Sequence, residues 1–247
     1  MADYPKTALV LFEEAKKMNL KPQWLTDYGL FSIEINGQFG YVFYSRNMFN
    51  SNLSGFLAMD KHATRVVLEQ NAMPNIPFGM FKTKKDVILF LDEHKRIIAK
   101  PVVGSSSKDV HLISSQHEIP DIVFEKYIFE KFIEGREMRY LVFQNSVIAV
   151  HEKVYEGPIN DVEKVKRISY PKNTWNEKLV KLSIQITKLL FMKFAAVDYL
   201  IDKEGSMYVL EVNSSPGLYF FEHPTAGPTI PISRIFLEET IKEIELF

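Results

Sequence analysis

The chain has 247 residues, 46% of them hydrophobic and 25% charged, with a formal net charge of −1 and no cysteine. That length and composition suit a globular protein with one large or two modest cores. The near-zero charge removes the basic excess that nucleic acid or an anionic membrane surface calls for, and the missing cysteines exclude disulfides, thiolate metal sites and cysteine nucleophiles.

The N-terminal apolar stretch is too short, and too quickly followed by charge, for a signal peptide, and no later run approaches about 18 apolar residues. A cytoplasmic protein with no nucleic acid or membrane partner is the expectation. Ala8, Leu11, Phe12 and Ala15 recur at helical spacing. Strands are predicted over 30–35 and 40–44, joined across Asn36-Gly37, a strong hairpin signal. Residues 1–57 read as a short N-terminal α/β unit. Asp60 then caps a helix to about residue 71, with Ala63, Val66 and Val67 on one face and Pro74 and Pro77 beyond its end. Thr83, with Asp86 three residues on, opens a second helix to about His94. The period next changes to strand over 96–103, 110–113, 127–133, 138–143 and 146–153, broken by Gly104, Gly135 and Asn145, which reads as antiparallel sheet. Thr174 and Glu177 predict a capping box for a helix to about Met192, whose apolar face is Leu179, Leu182, Ile186, Leu189 and Leu190. A hairpin of 195–201 with 207–212 precedes a proline-rich loop and a C-terminal helix. The class is α+β, with segments 58–125 and 126–247 following the N-terminal unit.

The last hairpin carries the most chemistry. Pairing Lys203 with Ser206 across Glu204-Gly205 sets Asp198 opposite Glu211 and puts Asn213 on the same face, one pair further on. Facing carboxylates repel unless a cation lies between them, and two carboxylates with an amide oxygen are the hard donors that magnesium takes. The alternative is a solvated sheet face. Residues 127–143 alternate apolar and charged into a turn at Gly135 and out again. Glu130 and Glu137 flank that turn, placed to accept from an exocyclic amine and from ribose hydroxyls, or else simply solvated. Lys100, flanked by Ile98, Ala99 and Val102, is either snorkelling or serving an anion. Gly104 with Ser105, Ser106 and Ser107 forms a small-residue loop whose amides and hydroxyls suit phosphate, although the GxxxxGK[ST] pattern is absent.

Taken in order, these segments resemble the ATP-grasp superfamily, in particular its amino-acid ligase branch: the ATP-grasp part of bifunctional glutathione synthetases, cyanophycin synthetase and ribosomal-protein glutamate ligases. The resemblance runs over residues 57–240 and is carried by Asp60-Lys61 with Thr64 followed by MPNIPFG, by KPVVGSSSKDV, by EKFIEGREMR and by DYLIDKEGSMYVLEVNSSPG. It departs at Ser107 and Asp109, where glycine is the family's preference, and the N-terminal unit is shorter than the family's substrate-binding domain. The resemblance implies two α+β subdomains, 58–125 and 126–247, with ATP between their antiparallel sheets. Lys61 and Lys100 would then bind phosphates, with Ser105 and Ser106 covering them. Glu130 would take the adenine amine, the backbone of Lys131 and Ile133 would complete the adenine site, and Glu137 would hold the ribose. Asp198, Glu211 and Asn213 would hold Mg2+ bridging the β- and γ-phosphates.

The implied reaction is attack of a substrate carboxylate on the γ-phosphate, giving an acyl-phosphate and ADP. An amine then displaces phosphate to form an amide, on small-molecule or peptide substrates. Arg139, on the face of Glu137, is placed to steady the acyl-phosphate or oxyanion, or else forms a cross-strand ion pair. Lys153 is a second catalytic candidate. Arg167 lies near the cleft mouth after a stretch, 154–166, that reads as a loop, and His223 is either a substrate contact or an ordinary loop residue. A homodimer is compatible with the pattern. The rival readings are an ATP-grasp kinase and a nucleotide-binding regulatory protein without turnover.

Overall fold

The computed structural model describes residues 5–46, 48–104, 109–155 and 165–245. Helix α1 (Lys6–Lys17) and strands β1 (Gln23–Trp24), β2 (Leu30–Ile35) and β3 (Gln38–Phe43) form the N-terminal unit, with strand order β1-β2-β3. Asn36 and Gly37, at φ of 51° and 82°, make the tight turn that their sequence predicts. This unit does not close on itself. Leu11, Phe31 and Ile33 share a core with Phe236 and Leu237 of the C-terminal helix α7 (Ile232–Ile244), and with Leu141, Ala149, Phe194 and Ala196 further along the chain.

Two helices follow in close succession. The sequence reading did not anticipate α2 (Asn52–Met59), which Ser51 caps by accepting from the Ser54 amide at 3.1 Å. Asp60 closes it and caps α3 (Lys61–Gln70), accepting from the Ala63 amide at 2.8 Å. The buried face of α3 is Thr64, Arg65 and Leu68, not Ala63, Val66 and Val67 as the apolar spacing suggested. Buried guanidinium bonds make that face possible. Thr83 caps α4 (Lys84–His94) as expected.

The remaining strands form two sheets. One holds β4 (Phe78–Met80), β5 (Ile97–Pro101), β6 (His111–Ile113) and β7 (Tyr127–Lys131) in the order β4-β7-β5-β6. The other holds β8 (Gly135–Phe143), β9 (Ser146–Tyr155), β10 (Val165–Ser169), β11 (Phe194–Asp202) and β12 (Met207–Asn213) in the order β10-β9-β8-β11-β12. Every ladder is antiparallel. Helix α5 (Glu177–Leu189) and Leu68 of α3 cover one face of the larger sheet, over Tyr140, Val197 and Tyr199.

Four local expectations are corrected. Residues 127–143 are not a hairpin: β7 and β8 belong to different sheets, and residues 132–134 cross between them. Gly135 is needed for close approach, because a Cβ there would lie 2.3 Å from the Ile201 carbonyl oxygen. Helix α5 is capped by Asn176, which accepts from the Lys178 and Leu179 amides, while the Thr174 hydroxyl donates to the Pro171 carbonyl instead. Strand β10 occupies the end of a stretch expected to be loop.

The fourth correction concerns the β11–β12 hairpin. Its turn has three residues, 203–205, with Ile201 paired to Met207, so the strands leave it one residue out of the expected register. A bulge at Leu210 adds one residue and restores Asp198 opposite Glu211 and Ala196 opposite Asn213.

Candidate functional site between the two sheets

A cavity of about 370 Å³ separates the sheets. Ile76, Ile98, Leu200 and Leu210 give it apolar lining, and the crossing residues 132–134 line it as well. Lys61 and Lys100 stand on the smaller-sheet side, facing Glu137, Lys153 and Glu211 of the larger sheet. Such a slot, lined by apolar side chains together with lysines and carboxylates, suits a ligand with a flat ring and an anionic tail. Glu130, Lys131 and Ile133 also line it, while Ser105 and Ser106 lie outside the described residues.

The first charged group is a buried chain through Glu130. Its carboxylate accepts from Lys100 Nζ at 2.8 Å and from Arg65 Nε at 2.8 Å, and is almost wholly buried. Burial alone would raise its pKa, but Arg65 and Lys100 outweigh that and hold it at about 2. The expectation that Glu130 is free for an exocyclic amine therefore meets a carboxylate already taken up by two cations. Lys100 is neither snorkelling nor loose. The Lys131 amide is likewise committed, donating to the Pro77 carbonyl at 2.9 Å. Lys61 Nζ donates to the carbonyls of Pro101 and Gly104 at 3.1 and 2.9 Å. Burial and the neighbouring Lys100 lower its pKa against the pull of Glu211, Glu130 and Asp60.

The second group lies on one face of the larger sheet. Arg139 grips Asp198 with both arms, Nε to Oδ1 at 2.7 Å and Nη2 to Oδ2 at 2.5 Å, and its Nη2 stands 3.5 Å from Glu211 Oε1. The cation between the facing carboxylates is thus a guanidinium, so their repulsion alone does not call for a metal. Lys153 bridges Asp198 Oδ2, at 3.0 Å, and Glu137, whose other oxygen accepts from the Tyr155 hydroxyl at 2.6 Å. Burial opposes ionisation of Asp198, yet Arg139 and Lys153 hold its pKa far below the carboxylate range. Asn213 Nδ2 donates to Glu211 Oε1 at 2.9 Å. No cluster of three Asp, Glu, His or Cys side chains able to hold a metal occurs among the described residues. Two carboxylates and an amide do suit Mg2+ when a ligand's own oxygens complete the shell. Of the three, Glu211 and Asn213 are partly exposed and Asp198 is not.

Arg167 and His223 stand beside this array and do not line the cavity. The Arg167 guanidinium lies 3.7 Å over the Phe220 ring and donates to the Val165 carbonyl, and His223 stacks on Tyr219 at 4.4 Å. The sequence reading missed Arg65 and His151. His151 is paired with Arg139 across β8 and β9, and its ring packs 4.1 Å from that of Phe221. Burial, then Arg139 and Arg167, press its pKa down to about 3. A histidine two places before Lys153 on a strand put it on the same face as that lysine, a signal available from alternation alone.

The RimK-like ATP-grasp domain family matches residues 58–230. The chain is similar to the D-alanine–D-alanine ligase of Aquifex aeolicus, 26% identical over 182 residues that cover 68% of this chain and 62% of that one. It is also similar to the tetrahydromethanopterin:α-L-glutamate ligase of Methanocaldococcus jannaschii, 28% identical over 174 residues that cover 64% and 59%. The chain therefore spans about three fifths of the length of these relatives. Among solved structures, a bifunctional glutathione synthetase from Pasteurella multocida superposes with a TM-score of 0.71 at 13% identity, over 96% of this chain and 44% of that one. The ATP-grasp ligase PsnB complexed with a minimal precursor gives 0.63 at 18% identity, over 78% and 63%. Two antiparallel sheets facing each other across a charged slot, and a family match over most of the chain, agree: this protein belongs to the RimK-like ATP-grasp family.

Proposed function

We propose that the protein is an ATP-dependent, magnesium-requiring ligase that joins a carboxylate to an amine through an acyl-phosphate, on an amino acid or a peptide. The observation that carries this reading is the slot itself. Its apolar lining, Ile76, Ile98, Leu200 and Leu210, suits adenine, and Lys61 and Lys100 in the same lining suit an anionic tail. The activities of the similar proteins, D-alanine–D-alanine ligase and tetrahydromethanopterin:α-L-glutamate ligase, point the same way.

In this reading Lys61 and Lys100 bind the phosphates, the Ile133 backbone and the Lys131 strand end flank adenine, and Glu137 meets the ribose. Glu130 serves as the counter-ion that keeps Lys100 in place. Magnesium, held by Glu211, Asn213 and Asp198, would neutralise phosphate charge during transfer. Arg139 and Lys153 neutralise Asp198 in the free protein and lie beside the place where charge would develop, so they orient and stabilise; no protein nucleophile is needed. Ser105 and Ser106 complete the proposal as the phosphate cover beyond Gly104. The setting proposed is cytoplasmic; no helix among the described residues is long and apolar enough to cross a membrane.

The test is a screen of ATP turnover against paired amino acids and peptides, with products read by mass spectrometry. Phosphate release that depends on an amine, with a product lighter than its two substrates by one water, supports the ligase. ADP formed without free phosphate indicates a kinase, and tight ATP binding without either indicates a regulatory protein.

A further inference from the structure

Arg65 belongs to no motif of the slot, yet it touches both halves of it. Its side chain is 3% exposed and its guanidinium makes four bonds in two directions. Towards the smaller sheet, Nε donates to Glu130 Oε1 at 2.8 Å. Towards the larger sheet, Nη1 donates to the Val209 carbonyl at 2.5 Å and Nη2 to the Leu210 carbonyl at 2.7 Å. Asn75 completes the shell, its Oδ1 accepting from Nη1 at 3.0 Å while its Nδ2 donates to the Arg65 carbonyl at 2.9 Å.

The two backbone acceptors matter because of where they lie. Leu210 is the extra residue of the β12 bulge, the one that returns Glu211 to the face of Asp198. A bulge interrupts its ladder, so the carbonyls around it need partners from elsewhere, and a slip of one residue would turn Glu211 to the opposite face. Arg65 supplies those partners from a helix. The same guanidinium holds one oxygen of Glu130, whose other oxygen holds Lys100. Lys61 lies four residues earlier, one turn away on the same helix.

We infer that Arg65 is a positioning residue that sets Lys100 and Glu211, on separate sheets, in a single frame, so that the phosphate end and the metal end of the slot are built to one distance. This rests on the nucleotide-binding reading above. Lysine cannot replace it, because one ammonium cannot serve a carboxylate on one side and two carbonyls on the other in fixed geometry.

The experiment uses the full chain, wild type and the variants Arg65→Met, Arg65→Lys and Glu130→Gln. Three quantities are read: ATP affinity by calorimetry in EDTA, the Mg2+ concentration for half-saturation at bound ATP, and amide exchange over residues 208–212 in the free protein. Arg65→Lys keeps the buried charge and carries the test if Arg65→Met does not fold. Both Arg65 variants should weaken ATP binding without metal, raise the Mg2+ requirement about 10- to 100-fold, as loss of an outer partner of a metal ligand does, and speed exchange at the bulge. Glu130→Gln should weaken ATP binding in EDTA while leaving the Mg2+ requirement and the bulge unmoved. If folded Arg65→Lys melts earlier but keeps both binding constants, Arg65 is only a structural residue and the inference is overturned. Wild-type protein that shows no ATP binding instead overturns the nucleotide-binding reading itself, a result visible before any variant is compared.

Discussion

One face of the five-stranded sheet is two different materials. At the slot end β8, β9 and β11 present Glu137, Arg139, Lys153 and Asp198, locked in a network of ion pairs. Further along the same strands, Leu141, Ala149 and Ala196 face the N-terminal unit and α7 in a core with Phe194 and Phe236. Register pairs Arg139 with Asp198 and, two residues on, Leu141 with Ala196. Identical backbone, about 7 Å apart along the strand, thus carries opposite chemistry. The apolar half holds the fold, since burying a large side chain contributes about 1.5–3 kcal/mol. The ionic half contributes little net stability, because desolvating its charges offsets most of their attraction.

That contrast can be tested by loading each half in turn. The largest effect should come from Glu211→Gln, which removes the proposed anionic magnesium ligand at the edge of the ionic half. Turnover should fall about 100-fold or more. Chemical denaturation should move by only about 0.5 kcal/mol, as for other partly exposed substitutions. Asp198→Asn should lose turnover as well, but with a lower midpoint, since it strips the main partner of half-buried Arg139. Near-normal activity of either variant at millimolar magnesium would remove the metal assignment. In the apolar half, Phe236→Ala should cost about 3–5 kcal/mol by urea unfolding. ATP affinity measured on its folded fraction should stay put, because Phe236 does not line the slot. A variant that kept its stability but lost ATP affinity would reverse the comparison.

The effect that is smallest at neutral pH, and grows only in acid, lies between the halves at His151. Unfolded, this histidine takes a proton near 6.5; folded, buried and with two arginines nearby, it resists until about 3. Between those values the unfolded chain binds more protons, so stability falls as pH drops through that window, by up to about 1.4 kcal/mol per pH unit. Glu130 adds a loss of the same sign lower down: its stabilisation is present above 4.5 and disappears as pH falls toward about 2. His151→Phe should flatten the slope from about 6.5 downward and change little at neutral pH. An unchanged slope in thermal melts across that range would mean that another group sets the acid limit.

How much of this was legible beforehand differs from residue to residue. The Asn36-Gly37 turn, the Asp60 and Thr83 caps and the Asp198–Glu211 pairing all read correctly from the chain. The last came out right through two compensating departures: a three-residue turn in place of two, and a bulge that restores the register. Alternation along 127–143 was read as a hairpin because β7 and β8 each alternate, and alternation does not say which sheet a strand joins. Glu130 read as an open acceptor because its partner Arg65 lies 65 residues earlier.

By itself the sequence determined most of the elements, though not α2 or β10, and the four ordered motifs. Caps, turns and periodic faces are decided among residues a few positions apart, where the chain's own geometry sets who can meet. Tertiary structure alone decided which cations neutralise which carboxylates, that Arg139 reaches both Asp198 and Glu211, and that Arg65 ties the bulge to Glu130. Those are competitions among charges brought together by burial, and their outcome depends on desolvation and on partners that no local spacing records.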